Sequence, residues 1–395
     1  MRAPIRVFIT IVLSACLTQF ASEIYAPSLP AIAKALQAPL EYVQWSMSIY
    51  MLGVTLSQLI YGPLSEGIGR RLPLVGGLTI MAVGSLICVA SNSIEGIWSG
   101  RFIQGVGAGA GAALWRSVFR DIYSGEELAK YGSYLVIFIM FIVPAAPALG
   151  GYFQEYWGWQ ANFIFMAVYS VVTLLAFLYG FKETNQYHHR ERLKWDYIIK
   201  TYHLLLSNKI FIGITASTFL CYGALFSWFT VGPILFIEGA GLNPVEFGWL
   251  SCLGGGFTYA LAGILNGKLV GRFGMPWMMR IGFSIMLFSG ILLLLSTFWC
   301  GLHAFSIAVP GLLFYFGSTF IWPNAFATAF TPFGKIAGYA GALYGFMQIS
   351  GAAIISGLMA YLPAVSQAPL GAVFALCTAC AWLIYEFSIK KGTHT

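Results

Sequence analysis

The fold class is decided by the stretch Gly62-Pro-Leu-Ser-Glu-Gly-Ile-Gly-Arg-Arg71, which recurs in part as Gly267-Lys-Leu-Val-Gly-Arg-Phe-Gly274, 205 positions later. The same offset places Pro39 on Pro244, so a single register extends well beyond the two motifs. Each copy lies between two hydrophobic runs. Two homologous membrane-embedded halves with a pathway between them are typical of transporters.

The composition indicates that most of the chain is surrounded by lipid. Hydrophobic residues make up 58% of the 395 residues, charged residues only 9%, and the mean hydropathy is +0.78. A soluble domain of this length could not bury so much apolar surface. The composition therefore predicts an integral membrane protein.

The net charge of +7 is better explained by membrane topology than by nucleic-acid binding. If the Gly62–Arg71 motif faces the cytoplasm, only Lys34 clearly falls outside. This bias predicts that both termini lie on the cytoplasmic side. The protein itself is expected in the inner (cytoplasmic) membrane. The basic residues that then fall inside are Arg2, Arg6, Arg70, Arg71, Arg116, Arg120, Lys130, those of 182–209, Lys268, Arg272, Lys335, Lys390 and Lys391.

Hydrophobic windows of about 20 residues predict twelve transmembrane helices. Because lipid offers no hydrogen-bond partners to the backbone, the fold should be all-α. We expect two pseudo-symmetric six-helix halves, 1–180 and 209–395, joined by a cytoplasmic linker at 181–208 with a short surface helix at its Tyr202–Leu206 end. The predicted spans are 6–28, 42–61, 72–90, 96–115, 131–152, 160–180, 209–232, 246–267, 276–297, 303–328, 336–361 and 370–389.

Six stretches of the chain form a recognisable set of motifs: Glu23-Ile-Tyr-Ala-Pro-Ser-Leu-Pro30, the 62–71 motif, Arg101-x-x-Gln104-Gly105, Arg116–Asp121, Ala146-Pro-Ala-Leu-Gly-Gly151 and Pro323-Asn324. Together they resemble the motifs of the major facilitator superfamily, in particular its twelve-helix drug:proton antiporters of the bicyclomycin/chloramphenicol-resistance branch. The chain departs from that pattern at Glu23 and Glu66, where the branch has Asp, and at Gly67 and Gln160, where it has Arg. These departures leave the substrate range open.

Glu23 is the first candidate for proton coupling. A carboxylate within a transmembrane helix is costly and usually faces a cavity or a partner. It lies seventeen residues after Arg6, a rise of about 25 Å, which puts it in the outer third of the membrane. Arg101 in the fourth predicted helix lies six residues after Glu95, about 9 Å below the outer surface, and therefore at a similar depth. The resemblance places both helices beside one cavity. A static ion pair between the two side chains is the alternative to a role in transport.

The resemblance assigns the 62–71 motif a role as a conformational latch. Its residues are Gly62, Glu66, Gly69, Arg70 and Arg71, and the glycines should permit a tight turn between the second and third helices. The arginines can pair with Asp121 or interact with helix C-termini. Anchoring by the positive-inside rule alone is the alternative.

Two further sets of residues are candidates for the transport pathway. Pro144 and Pro147 should kink the fifth helix, and Gly150 and Gly151 should loosen its end, although such kinks can also be accidents of packing. Small residues at Gly105–Gly111 should let another helix approach closely. Cavity positions are predicted for Tyr25, Tyr50, Gln104, Trp228 and Trp322, where packing or lipid contact is the alternative for the aromatic side chains.

The predicted function is proton-coupled efflux of small hydrophobic or amphipathic molecules by alternating access. Small molecules, protons and the lipid bilayer are the expected partners of a monomer, with no nucleic acid. The seven cysteines have no metal-ligand spacing, so we expect no metal or cofactor. An enzyme is disfavoured because no nucleotide loop or nucleophile–base pair is present. A dedicated exporter of one metabolite, such as a siderophore or amino acid, and an importer or facilitator remain open.

Overall fold

A computed structural model describes residues 5–123, 145–185, 191 and 194–392. Every regular element in these ranges is helical, and no strand occurs in them. The predicted all-α class is confirmed for this part of the chain.

The first helix group, residues 5–180, begins with a helix that is broken near its middle. Helix α1 ends at Glu23, and a 3-10 turn at Ala26–Ser28 leads into α2. The predicted span 6–28 falls almost entirely within a single membrane-spanning segment, Val7–Leu36, but its α-helix ends earlier than predicted. Pro27 has no N–H to donate to the Glu23 carbonyl, so the α-helical hydrogen-bond pattern stops there. The helices are α1 Ile5–Glu23, α2 Leu29–Leu36, α3 Leu40–Ile68, α4 Arg71–Ala90, α5 Ile94–Ile122, α6 145–157 and α7 Gln160–Gly180.

The second helix group, residues 209–392, follows the helix of the linker. Short π-helical segments, Leu235–Gly239 and Leu250–Gly255, directly follow two of its helices. The elements are α8 Trp195–Ser207 in the linker, then α9 Lys209–Ile234, α10 Pro244–Trp249, α11 Gly256–Phe273, α12 Met275–Trp299, α13 Ala304–Phe330, α14 Ala337–Met359 and α15 Ala368–Gly392.

Within the described ranges, nine helical segments are long and apolar enough to cross a membrane, so the protein is a multi-pass membrane protein. Helices α3 and α5, with 29 residues each, are not among the nine. Most of the predicted fifth span, 131–152, lies outside the described residues. The count of twelve spans remains a prediction.

Helices pack mainly within each group. In the first group α5 packs on α3 and α4, and α4 packs on α7; in the second, α9 packs on α14 and α15, and α12 on α13 and α15. The principal contact between the groups is α3 against α14. As predicted, the glycines of α5 permit its close packing on α3 and α4. A Cβ at Gly105 would collide with the Tyr50 carbonyl of α3, and one at Gly107 with the Met81 backbone of α4.

The repeated motif forms the same turn twice. Gly69 lies between α3 and α4 with φ +96, and Gly274 lies between α11 and α12 with φ +80. Backbone of this kind strongly favours glycine. The turn is shorter than predicted, because α3 continues through Gly62 and Pro63 to Ile68. Gly62 is thus a helical residue rather than a turn residue.

The linker helix α8 begins at Trp195, earlier than the predicted Tyr202. It buries Thr201 and Leu205 and contacts α9 and α14. We refer to the end of the bundle that carries Gly69 and Asp121 as the latch end. The opposite end, where Lys34 of α2 lies 3.9 Å from Glu238, is the far end.

Candidate transport cavity and coupling residues

A cavity of about 430 Å³ lies between the two helix groups. Its lining comes from α1, α3 and α5 on one side and from α9, α13 and α14 on the other. On α1 it begins one turn before Glu23, and on α5 it extends to Phe119, so it lies between Glu23 and the latch end. The described lining includes Thr18, Gln19, Met51, Gln58, Trp115, Tyr222, Phe326, Phe330, Gln348 and Ile349.

Glu23 lies in a second, much smaller cavity. The side chain is 2% exposed and is the one buried carboxylate among the described residues. Its Oε2 atom has no hydrogen-bond partner. The other side of this cavity is formed by the second helix group, with Trp228 of α9 and Tyr315 of α13, and Pro147 also lines it. Glu23 is therefore placed at the interface between the two groups.

Arg101 is held by aromatic rings and carbonyl oxygens. It is 1% exposed, and its guanidinium carbon lies 4.2 Å from the ring centre of Tyr25 and 4.1 Å from that of Tyr50. Nη1 donates to the Ala21 carbonyl at 3.0 Å and to the Gln104 side chain. A desolvated cation between two ring faces is a favourable arrangement.

No ion pair joins Glu23 to Arg101, both of which are in the described part of the chain. The two side chains nevertheless share a neighbour, because Tyr25 follows Glu23 by two residues and stacks on Arg101. The Nε and Nη2 atoms of Arg101, like Oε2 of Glu23, lack hydrogen-bond partners. The static ion pair considered from the sequence is not formed, and the coupling roles of both residues stay predictions.

Arg70 is the centre of the latch. The side chain is 7% exposed. Its guanidinium donates to Asp121 at 3.1 Å, to Ser65 at 2.5 Å and to Glu66 at 3.4 Å. Arg71 instead points toward α7 and donates to the Leu178 carbonyl at 2.9 Å. The network brings the ends of α3, α4 and α5 together.

Glu183, just after α7, completes this network and was not among the predicted site residues. Its carboxylate accepts hydrogen bonds from the backbone N–H groups of Arg70 at 2.8 Å and Arg71 at 3.0 Å, at the start of α4. No space remains for a Cβ at Gly69, which would collide with the Glu183 carboxylate. The segment 181–208 is predicted to be a cytoplasmic linker, and that prediction assigns Glu183 no role in the latch.

The Glu183 carboxyl has a lowered pKa. Partial burial raises its pKa, but backbone hydrogen bonds outweigh that effect and hold the pKa below its usual value. Such bonds, together with the positive end of the α4 dipole, favour the charged form. The donors are the N–H groups of Arg70, Asn185, Arg71 and Thr184.

Helix α6 lies between the broken first helix and the second group. A Cβ at Gly150 would collide with the Ile24 carbonyl, and one at Gly151 with the Pro244 carbonyl. These glycines thus permit backbone contact on both sides of α6. Pro147 lies within the helical residues 145–157. Pro144 lies outside the described residues.

The predicted cavity residues are divided among three environments. Tyr25 and Tyr50 enclose Arg101. Gln104 is buried and donates to Ser85 at 2.8 Å. Trp228 lines the small cavity of Glu23, whereas Trp322 packs edge-on against Tyr222 at 5.5 Å. None of the five is among the described lining of the central cavity.

The sequence profile of the Major Facilitator Superfamily matches residues 11–386. The chain belongs to the major facilitator superfamily. It is accordingly a transport protein rather than an enzyme, and the resemblance stated from its motifs is confirmed.

Relatives within the superfamily carry names connected with drug resistance. The bicyclomycin resistance protein homolog of Haemophilus influenzae is 27% identical over 385 residues, which cover 97% of this chain and 96% of the relative. Multidrug resistance protein D of Escherichia coli is 28% identical, with 94% and 93% covered. The chloramphenicol resistance protein of Pseudomonas aeruginosa is 26% identical, with 83% and 77% covered.

Two solved transporter structures share the fold. The peptide transporter POT in complex with sulfate matches with a TM-score of 0.77 at 13% identity, covering 98% of this chain and 94% of that one. The xylose transporter XylE of E. coli, in a partially occluded inward-open conformation, matches with a TM-score of 0.73 at 14% identity, covering 96% and 97%. Likeness at this identity concerns the fold alone.

Proposed function

We propose that this protein exports small amphipathic molecules, such as drugs, across the cytoplasmic membrane in exchange for protons. Its drug-resistance relatives support the substrate class. The observation that carries the proposal of proton coupling is Glu23, a 2% exposed carboxylate with an unpartnered oxygen at the interface between the helix groups.

Glu23 suits proton exchange because its charge is costly where it lies. A buried carboxylate without a hydrogen-bonded partner is strongly destabilised relative to its neutral form. Enclosure in a small cavity with Trp228 and Tyr315 of the second group favours the protonated side chain, and separation of the groups would admit water and favour the carboxylate. Protonation is thereby linked to closure of the interface.

The far end is held closed by polar contacts between the two groups. Gln44 of α3 donates to the Thr230 carbonyl of α9 at 3.2 Å, and Ser48 of α3 hydrogen-bonds Ser356 of α14 at 2.9 Å. In an alternating-access cycle, these bonds must break when the central cavity opens to the far side. We place the far side outside the cell.

In this topology the latch end and both termini are cytoplasmic. The protein is a monomer with twelve transmembrane helices in two six-helix halves, 1–180 and 209–395, and the segment 181–208 is the cytoplasmic linker. The basic residues Arg70 and Arg71 at the latch end agree with the positive-inside rule. The latch stabilises one of the two alternating conformations. A membrane potential adds about 2.3 kcal/mol per charge per 100 mV to proton entry.

Reconstitution of the purified protein tests antiport directly. In proteoliposomes loaded with chloramphenicol, an inwardly directed proton gradient (outside acidic) should accelerate release of chloramphenicol. A protonophore should abolish that acceleration. Release that is insensitive to the gradient would indicate a facilitator. Acceleration only by a gradient of the opposite direction would indicate proton symport, and either result contradicts the proposal.

A further inference from the structure

Three glutamine side chains line the central cavity from both helix groups. Gln19 of α1 and Gln58 of α3 come from the first group, and Gln348 of α14 comes from the second. The side-chain amides of these residues make no hydrogen bond within the described part of the chain. Gln58 is the most enclosed of the three, since the residue is only 3% exposed.

The other buried glutamines of the described chain are bonded differently. Gln44 donates to the Thr230 carbonyl, Gln104 to Ser85, and Gln367 to the Gly301 carbonyl at 2.9 Å. The Gln58 amide instead faces the cavity, where its N–H donors and its carbonyl acceptor remain free for a partner that is not part of the protein.

Apart from the hydroxyl residues Thr18 and Ser117, the rest of the described cavity lining is apolar or aromatic. Phe326 and Phe330 of α13 stack on each other at 4.0 Å, and Met51 and Ile349 line the cavity as well. No Asp, Glu, Lys or Arg is among its described lining residues. The carboxylate of Glu23 lies in the separate small cavity. An apolar pocket of this volume with a few polar groups fits a drug-sized molecule.

We infer that the central cavity selects uncharged amphipathic molecules that carry amide, carbonyl or hydroxyl groups, and that Gln58 and Gln348 bind such groups from opposite helix groups. The amide side chain both donates and accepts, so it matches these groups without requiring a charge. A lipophilic cation finds no carboxylate among the described lining residues. This inference rests on the proposed efflux function and specifies its substrate class.

Binding measurements in detergent test the inference without a proton gradient. The probes are chloramphenicol, an uncharged molecule with amide and hydroxyl groups, and tetraphenylphosphonium, a cation with neither. Wild-type protein should bind chloramphenicol more tightly than the cation. Gln58→Met and Gln348→Met should each weaken chloramphenicol binding by about three- to tenfold, the effect of one hydrogen bond. Gln160→Met, at an exposed position, is the matched control.

A gain of function provides the sharper test. Gln58→Glu should weaken chloramphenicol binding and increase tetraphenylphosphonium binding, because it supplies the missing carboxylate. If this variant does not fold, Gly345→Ala replaces it: the new Cβ would lie 2.7 Å from the Gln58 side-chain oxygen and displace the amide. This variant should weaken chloramphenicol binding while the unfolding midpoint changes little.

Several outcomes overturn the inference. These are equal or tighter binding of the cation by wild-type protein, no binding of chloramphenicol, and unchanged chloramphenicol binding in both Gln→Met variants. Failure of the efflux proposal looks different. In that case chloramphenicol binds and the glutamine variants weaken it as expected, but no proton movement accompanies its transport in proteoliposomes.

Discussion

Replacement of Glu183 by Gln tests whether this residue stabilises the latch through its charge. The amide keeps one acceptor for the N–H groups of Arg70 and Arg71 but removes the negative charge at the N-terminus of α4. The Glu183 side chain is exposed to solvent on its outer side. Solvent screening therefore limits the expected loss in free energy of unfolding to about 1 kcal/mol at neutral pH.

The stability difference between wild type and Glu183→Gln should depend on pH in a definite direction. Because the pKa of Glu183 is lower in the folded protein than in the unfolded chain, its stabilisation is present above the unfolded-state pKa, about 4.3 for Glu. It is lost as the pH falls through the folded-state pKa. Wild type and Glu183→Gln should therefore differ at neutral pH and converge in acid.

The assay is unfolding in mixed micelles with increasing sodium dodecyl sulfate, followed by tryptophan fluorescence at several pH values. Glu155→Gln, at an exposed carboxylate of α6, is the matched control and should behave like wild type. Equal stability of wild type and Glu183→Gln at neutral pH would refute the reasoning. A difference that persists unchanged in acid would also refute it, because it would not depend on the charge.

Two further substitutions test the latch turn and the site of Arg101. Gly69→Ala should lower the free energy of unfolding by about 1–3 kcal/mol, because φ is +96 and the new Cβ displaces Glu183. Gly76→Ala is the control, because a Cβ there meets nothing within 4 Å, and it should leave the stability unchanged. Equal effects of the two substitutions would contradict this prediction. Arg101→Lys should lower the free energy of unfolding by about 1–2 kcal/mol in the same assay, because lysine has no planar group to stack between the tyrosine rings. Unchanged stability would show that this stacking is unimportant.

Hydropathy predicted the positions of most helices but not how their backbones are interrupted. The span 160–180 was predicted with the same bounds as α7, Gln160–Gly180, because a lipid-facing run is bounded by polar residues at both ends. The break after Glu23 was missed, although Pro27 accounts for it. Conversely, Gly62 and Pro63 resemble turn residues but lie within α3, where neighbouring helices stabilise the backbone.

The sequence predicted which side chains are unusual better than it predicted their partners. Glu23 and Arg101 stand out because charges within a span are rare, and both are buried. Arg101 stacks on Tyr50 instead of pairing with Glu23. This arrangement depends on how α3 and α5 are rotated about their axes, which hydropathy does not specify. Gln58 was overlooked for the same reason: a single glutamine in an apolar window gives no information about its direction.

Proton release upon substrate addition is the most direct test of Glu23 as the proton-coupling residue. Everted membrane vesicles are energised, and a pH-sensitive dye records the protons that chloramphenicol releases. Glu23→Gln should bind chloramphenicol but release no protons, because an amide cannot exchange a proton between the two sides. Glu41→Gln, at an exposed carboxylate of α3, should release protons like wild type. Normal proton release by a well-expressed Glu23→Gln variant would contradict the account.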